Sequence, residues 1–244
     1  MNTNMIQKNV NNLASLFTLM GAEEENILNE RKLHFSNSWP NRLWMNYDYN
    51  NDDLQEAIRG NSKKDKSYII SLWEYDEEIF HKSLKELESK KYKVLFEQIG
   101  MYLDLSKTTQ EKHNDLDVKF VKEKDDILRW IEIASKSFGT IIEKNVINQI
   151  IKDKNIYLLL GYKNDIAVAS TLLYKTTDVM GVHLVGVPKE HRGQGIAENI
   201  MKKAITFSKE KKIKTMVLQA SALGLGIYKK LGFEENFILR NYQK

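Results

Sequence analysis

The chain has 244 residues, of which 42% are hydrophobic and 29% charged, and its formal net charge is +4. That balance fits a globular protein with a real core and room for two domains. No apolar run approaches the roughly 20 residues of a bilayer span, the absence of cysteine excludes disulfides and thiolate metal sites, and the modest charge lacks the footprint of a nucleic-acid binder. The expectation is a cytoplasmic protein without membrane or nucleic-acid partners. Charge is unevenly spread: residues 1–116 carry 15 basic and 19 acidic side chains, residues 117–244 carry 22 and 14. A basic second half suits a polyanionic ligand; it equally suits solvated lysine-rich helix faces.

In chain order, Leu13 to Ala22 reads as an amphipathic helix rather than a signal peptide. Leu13, Leu16, Phe17 and Met20 fall on one helical face, and Asn11, Asn12, Ser15 and Thr18 interrupt the apolar run. Leu33–Phe35 and Leu43–Tyr47 read as strands joined by a turn at Trp39-Pro40-Asn41. Asp52–Arg59 is a short helix, Tyr68–Trp73 a strand, Glu77–Ser89 a helix and Val94–Leu105 one or two strands. The polar stretch 106–116 reads as a linker between residues 1–105 and 117–244.

Beyond it the pattern alternates. Val118–Val121 is a strand, Asp125–Ser137 and Ile141–Ile151 are helices, and Ile156–Tyr162 and Ile166–Tyr174 are strands joined by a hairpin at Lys163-Asn164-Asp165. Val179–Val187 is a strand, Gly195–Lys209 an amphipathic helix, Ile213–Gln219 a strand, Leu223–Leu231 a short helix and Phe233–Leu239 a last strand. The order β-α-α-β-β-β-α-β-α-β describes an α/β or mixed α+β three-layer domain.

The informative segment is Val182–Met201, VHLVGVPKEHRGQGIAENIM. A strand ends at Val187, a turn follows, then Arg-Gly-Gln-Gly-Ile-Ala leads directly into a helix. Glycines let backbone approach a ligand closely, and a helix N-terminus offers unpaired N–H donors and the positive end of a dipole. Together these make an anion site, most often for phosphate or pyrophosphate. No Lys-Ser or Lys-Thr follows the last glycine, so it is not a P-loop, and the third glycine of a dinucleotide fingerprint is absent.

Arg192-x-x-Gly195-x-Ala197 resembles the Q/R-x-x-G-x-G/A signature of the GNAT acetyltransferase superfamily. Leu218–Phe233, LQASALGLGIYKKLGF, resembles the same family's later motif of strand, short tyrosine-bearing helix and Leu-Gly-Phe. The likeness covers residues 117–244. It implies a central mixed, mostly antiparallel sheet flanked by helices, preceded here by a smaller α/β domain, and an N-acetyltransferase that uses acetyl-CoA and no metal.

By the same resemblance, Val185, Gly186 and Val187 would pair their backbone with the pantetheine amides. The amides of Arg192, Gly193, Gln194, Gly195, Ile196 and Ala197 would hold the pyrophosphate, and Tyr228 would face the thioester sulfur. Ser221 stands where many members carry an asparagine that contacts the cofactor arm. His183 occupies a strand position at which some relatives place a base. Each has a bland alternative: Tyr228 beside Leu225 and Leu231 as a core aromatic, His183 as a satisfied core histidine.

The acceptor implied is a primary amine, small or peptidic, attacked directly in a ternary complex; monomer and homodimer both remain open. Gly224 and Gly226 in the short helix suggest close approach there, since each costs a helix roughly 1 kcal/mol. A non-catalytic acyl-CoA-binding or sensing protein is the rival reading. Glu77–Leu105 resembles the family's last helix and strands without any cofactor loop. Residues 1–105 therefore read as a degenerate copy of the same fold, or as a substrate-recognition or regulatory domain, with Trp39, Trp44, Trp73 and Tyr75 as candidate pocket liners.

Overall fold

A computed structural model describes residues 2–27, 30–63, 67–108 and 116–244. The chain forms two compact units: residues 1–100 with 219–222 and 235–244, and residues 101–218 with 223–234. This division differs from a chain-order boundary at 106–116, and most of that linker lies outside the described residues. The cause is strand pairing. The last strand of the chain is antiparallel to a strand of the first unit, with Leu239 opposite Trp73 and Asn241 opposite Ser71.

The first unit begins with helix α1 (Thr3–Leu19), whose start is capped by the Asn2 side chain accepting from the Met5 amide. The helix starts ten residues before Leu13, where the sequence pattern begins it, and its buried stripe starts at Ile6. Strands β1 (Ala22–Asn26), β2 (Lys32–Ser36) and β3 (Arg42–Met45) form an antiparallel meander. The turn between β2 and β3 holds a cis Trp39–Pro40 bond. Helix α2 (Asn51–Lys63) crosses over to β4 (Ile69–Trp73), which therefore runs parallel to β3. Helix α3 (Glu77–Ser89) and the single strand β5 (Lys93–Asp104) follow, β5 giving its last residues to the second unit. The core is built on Trp44, Tyr49, Ile70, Leu72, Trp73, Phe80 and Leu87, all at most 2% exposed.

The second unit contains β6 (Asp117–Phe120), α4 (Lys124–Phe138), α5 (Lys144–Ile150), β7 (Ile156–Lys163), β8 (Ile166–Thr176), β9 (Val179–Gly186), α6 (Ile196–Glu210), β10 (Thr215–Ala220), α7 (Leu225–Lys230) and the start of β11 (Glu234–Gln243). This is the element order read from the sequence. The β7–β8 turn is the two-residue Asn164-Asp165, both left-handed, and it twists with the strands it joins. Strands β6 to β9 are antiparallel; β10 lies parallel to β9 because α6 forms the crossover.

Helices α4 and α6 pack on β8 and β9. Trp130 of α4 is fully buried and donates from Nε1 to the Thr171 carbonyl of β8 at 3.1 Å, which seats the helix on the sheet. Helix α4 stops at Gly139, left-handed at φ 64°. No helix among the described residues is long and apolar enough to cross a membrane.

Candidate functional site

The site is built at the C-terminal end of β9. Ser170 of β8 pairs with Gly186, but Leu172 pairs with His183, so Thr171 opposes two residues of β9. That bulge puts Leu184 in the left-handed region at φ 53°. On the other side, the parallel ladder with β10 ends at Val182 opposite Leu218. From His183 to Gly186, β9 therefore follows β8 alone, with the edge bearing Val185 and Val187 half-buried. Gly186 has a packing reason to be glycine: a Cβ there would lie 2.7 Å from the Ser137 Cβ of α4.

After Pro188 a single 3-10 turn (Lys189–His191) reverses the chain, closed by the His191 amide on the Pro188 carbonyl and the Arg192 amide on the Lys189 carbonyl. Gly193 (φ 76°) and Gly195 (φ 71°) are both left-handed, with nothing within 4 Å of where a Cβ would stand. Conformation, not crowding, demands glycine here. Helix α6 then starts with no side-chain cap. The first intrahelical amide is that of Asn199, on the Gly195 carbonyl. Among the described residues, the amides from Gly193 to Glu198 make no backbone hydrogen bond outside a helix ladder. Gln194, Gly193 and Gly195 are exposed, Ile196 is buried as the loop's anchor, and Ala197 is half-buried.

Arg192 does not aim its charge at the loop's interior. Its Nε donates to the Val187 carbonyl at 2.9 Å and its Nη2 to the Ser137 carbonyl at 3.1 Å, at the C-terminal end of α4. It ties strand end, loop and α4 together, and places a cation where that helix dipole is negative. Lys163 donates to the Gln194 Oε1 at 2.7 Å, bringing the hairpin's cation to the loop. The acid in the first turn of α6, Glu198, is held by Lys230 at 2.6 Å and Lys202 at 3.0 Å. Those hydrogen bonds, Lys230's first, keep its carboxyl below the usual range.

Lys230 belongs to α7, which also carries Tyr228. The Tyr228 ring meets Phe233 edge-on at 5.8 Å, and Gly224 gives it room, since a Cβ there would stand 2.9 Å from Cε2. Gly224 thus serves the tyrosine, whereas Gly226 faces open space. Tyr228 keeps some surface, yet burial of its hydroxyl end pushes the phenol above the ordinary tyrosine range. His183 is 8% exposed, and burial alone pushes its imidazole down to about 3. It is neutral at pH 7. Ser221, exposed beyond the end of β10, groups with the first unit. Sequence reasoning had no means to find Ser137, Lys163 or Lys230 as loop partners, because all three come from distant elements.

The first unit has its own strand–loop–helix, β3 to α2, closed by side chains. Asn50 Oδ1 accepts from the Asp52 and Asp53 amides at 2.9 and 3.0 Å, and Asp53 Oδ2 accepts from the Asn50 amide at 2.9 Å. Arg31 pairs with Asp53 at 2.6 Å. The β3–β4 ladder ends at Leu43 opposite Ile70, after which Trp73 donates from Nε1 to the Tyr47 carbonyl at 2.8 Å.

Residues 109–238 match the family model described as an acetyltransferase (GNAT) domain. No curated protein matches the chain. Among solved structures, a GCN5-related N-acetyltransferase from Kribbella flavida superposes with a TM-score of 0.72 at 14% identity, covering 97% of this chain and 95% of that one. A GCN5-related N-acetyltransferase from Sphaerobacter thermophilus gives 0.65 at 14% identity, covering 88% and 76%. A GCN5-related N-acetyltransferase-like protein from Streptococcus suis gives 0.58 at 13%, covering 97% and 98%. At these identities the likeness is one of fold.

Proposed function

The chain belongs to the GNAT acetyltransferase family, and from that premise we propose that its second unit transfers an acetyl group from acetyl-CoA to a primary amine. One observation carries the reading. The start of α6 has no side-chain cap, is preceded by two left-handed glycines, and leaves the amides from Gly193 to Glu198 without a backbone acceptor. Such amides are an anion cradle in search of a diphosphate. The bulged, one-sided end of β9 suits an extended amide-bearing chain laid along its edge. The cosubstrate supplies an acyl thioester, already activated.

Within that reading, the amine nitrogen attacks the thioester carbonyl, the C–S bond breaks, and the proton lost by the amine is balanced by one gained at sulfur. His183 makes a poor base for the first proton. Between its pKa of about 3 and an amine near 10.4 lie about seven units, or about 10 kcal/mol. Taking the amine from solvent already deprotonated costs only roughly 4 to 5 kcal/mol at pH 7, so the amine binds in its neutral form and His183 is a core residue beneath the site. Tyr228, whose desolvated phenol stays protonated, donates to the departing sulfur. Arg192 positions the loop rather than touching the diphosphate. The first unit is a silent copy of the fold, its equivalent helix start already capped.

The test is mass spectrometry of an amine panel incubated with acetyl-CoA. An acetyl mass increment with stoichiometric free thiol is expected. Thioester turnover at the buffer rate with every amine would leave an acyl-CoA-binding protein instead.

A further inference from the structure

The face of the first unit's sheet that carries Trp44 and Trp73 also carries a row of polar side chains. Arg42 of β3 donates from Nη1 to Asn241 Oδ1 at 3.0 Å, and Ser71 of β4 donates to the same oxygen at 2.8 Å. Asn241 Nδ2 reaches Gln98 Oε1 at 3.5 Å, and Gln98 donates to the Gln219 carbonyl at 3.1 Å. Asn241 and Ser71 are 1% and 2% exposed. The guanidinium carbon of Arg42 lies 4.9 Å from the centre of the Phe96 ring.

This row holds a full positive charge and, among the described residues, no carboxylate pairs with Arg42. Its Nε is buried without a hydrogen-bond partner. Desolvation pulls the guanidinium down to about 10, with no acid countering it. Every other guanidinium whose pKa departs from its ordinary value, at Arg31, Arg129 and Arg240, sits beside a carboxylate and is raised. The side chain is half-buried, and a charge drawn that far out of water without a counter-charge is unfavourable, so an apolar residue of similar volume would serve packing better.

We propose that Arg42, positioned by Ser71 and Asn241, is a binding site for the carboxylate of a small ligand. A carboxylate matches the row on charge and shape. One guanidinium neutralises one negative charge and its planar fork fits two oxygens, while Ser71 and Asn241, whose own donors are spent on Asn241 Oδ1 and Gln98 Oε1, hold the guanidinium in place. A phosphate dianion would meet a single cation.

The test needs no activity. The full chain is melted at constant ionic strength with acetate or propionate, with acetamide or propionamide, and with inorganic phosphate. At saturation, the carboxylates are expected to raise Tm by about 5 °C and the amides to leave it unchanged. Arg42→Met should abolish the shift while melting, without ligand, at or above the wild-type temperature. Arg42→Lys, which keeps charge but loses the fork, should retain a smaller shift. An equal rise with phosphate, no rise with any carboxylate, or a full rise in either variant would overturn the proposal.

Discussion

The β3–α2 and β9–α6 segments share one plan: a strand, a loop, a helix and a parallel return strand. They differ in who satisfies the amides at the helix start. Before α2, Asn50 and Asp53 do so from within the chain, and Arg31 neutralises Asp53. Before α6, two left-handed glycines replace the cap and no side chain takes its place. The strand splay differs likewise. Beyond Leu43 it is occupied by Trp73, bound to the Tyr47 carbonyl, while beyond Val182 the edge of β9 follows β8 alone. On the proposed reading an anion site is made by withholding a cap, and Asn50 and Asp53 supply the cap that the start of α2 keeps.

The sharpest way to probe the active side of this comparison is Tyr228→Phe, which keeps the ring against Phe233 and Gly224 and removes the hydroxyl. The expected result is a kcat loss of about 10²- to 10⁴-fold with acetyl-CoA affinity unchanged. Full turnover with a lowered melting temperature would make the residue scaffold.

Next in size is Gly195→Val, which places a β-branched side chain at φ 71°. Calorimetry should show acetyl-CoA affinity falling about 100-fold or more, equivalent to about 3 kcal/mol. Wild-type protein should titrate at one ligand per chain; two would mean that the β3–α2 segment also binds.

A smaller effect follows from His183. Its folded pKa of about 3 lies below the ordinary 6.5, so the unfolded chain binds the extra proton. Stability is therefore undiminished above pH 6.5 and declines as pH falls below it, down towards 3. Between pH 6.5 and 5, denaturant unfolding should lose about 1.5 to 2 kcal/mol more in wild type than in His183→Gln. Equal slopes would mean that the histidine is solvated.

Smallest is Asn50→Ala, which uncaps α2 and should cost about 1 kcal/mol, or about 2 to 4 °C in Tm. The stoichiometry should stay at one, because Trp73 still fills the splay. A second binding event would show that the asparagine alone silences the site.

Much of this was legible in the sequence, and the reasons are local. The period-2 runs, the Asn-Asp turn and the glycine-flanked helix start encode their own conformations, so the order from β6 to β11 and the loop 192–197 could be read directly. The misses are non-local or hidden by charge. Strand β1 reads Ala-Glu-Glu-Glu-Asn and forms only because an exposed edge needs no apolar face. The first turns of α1 are polar, and their helicity depends on burying Ile6, Asn9 and Val10. The partners of Arg192 are carbonyls, which no side-chain pattern reveals. The burial that weakens His183 depends on packing around a strand whose alternation shows only that it has two faces.

The pairing of β11 with β4 also has a consequence for synthesis. Residues 235–244 complete the first unit, yet they leave the ribosome after everything in the second. The second unit can therefore close while β4 still waits with an unpaired edge of backbone donors and acceptors. A nascent chain stalled short of Glu235 would expose that edge to other strands, or to chaperones that bind extended segments. The amino-terminal half of this protein is begun first and finished last.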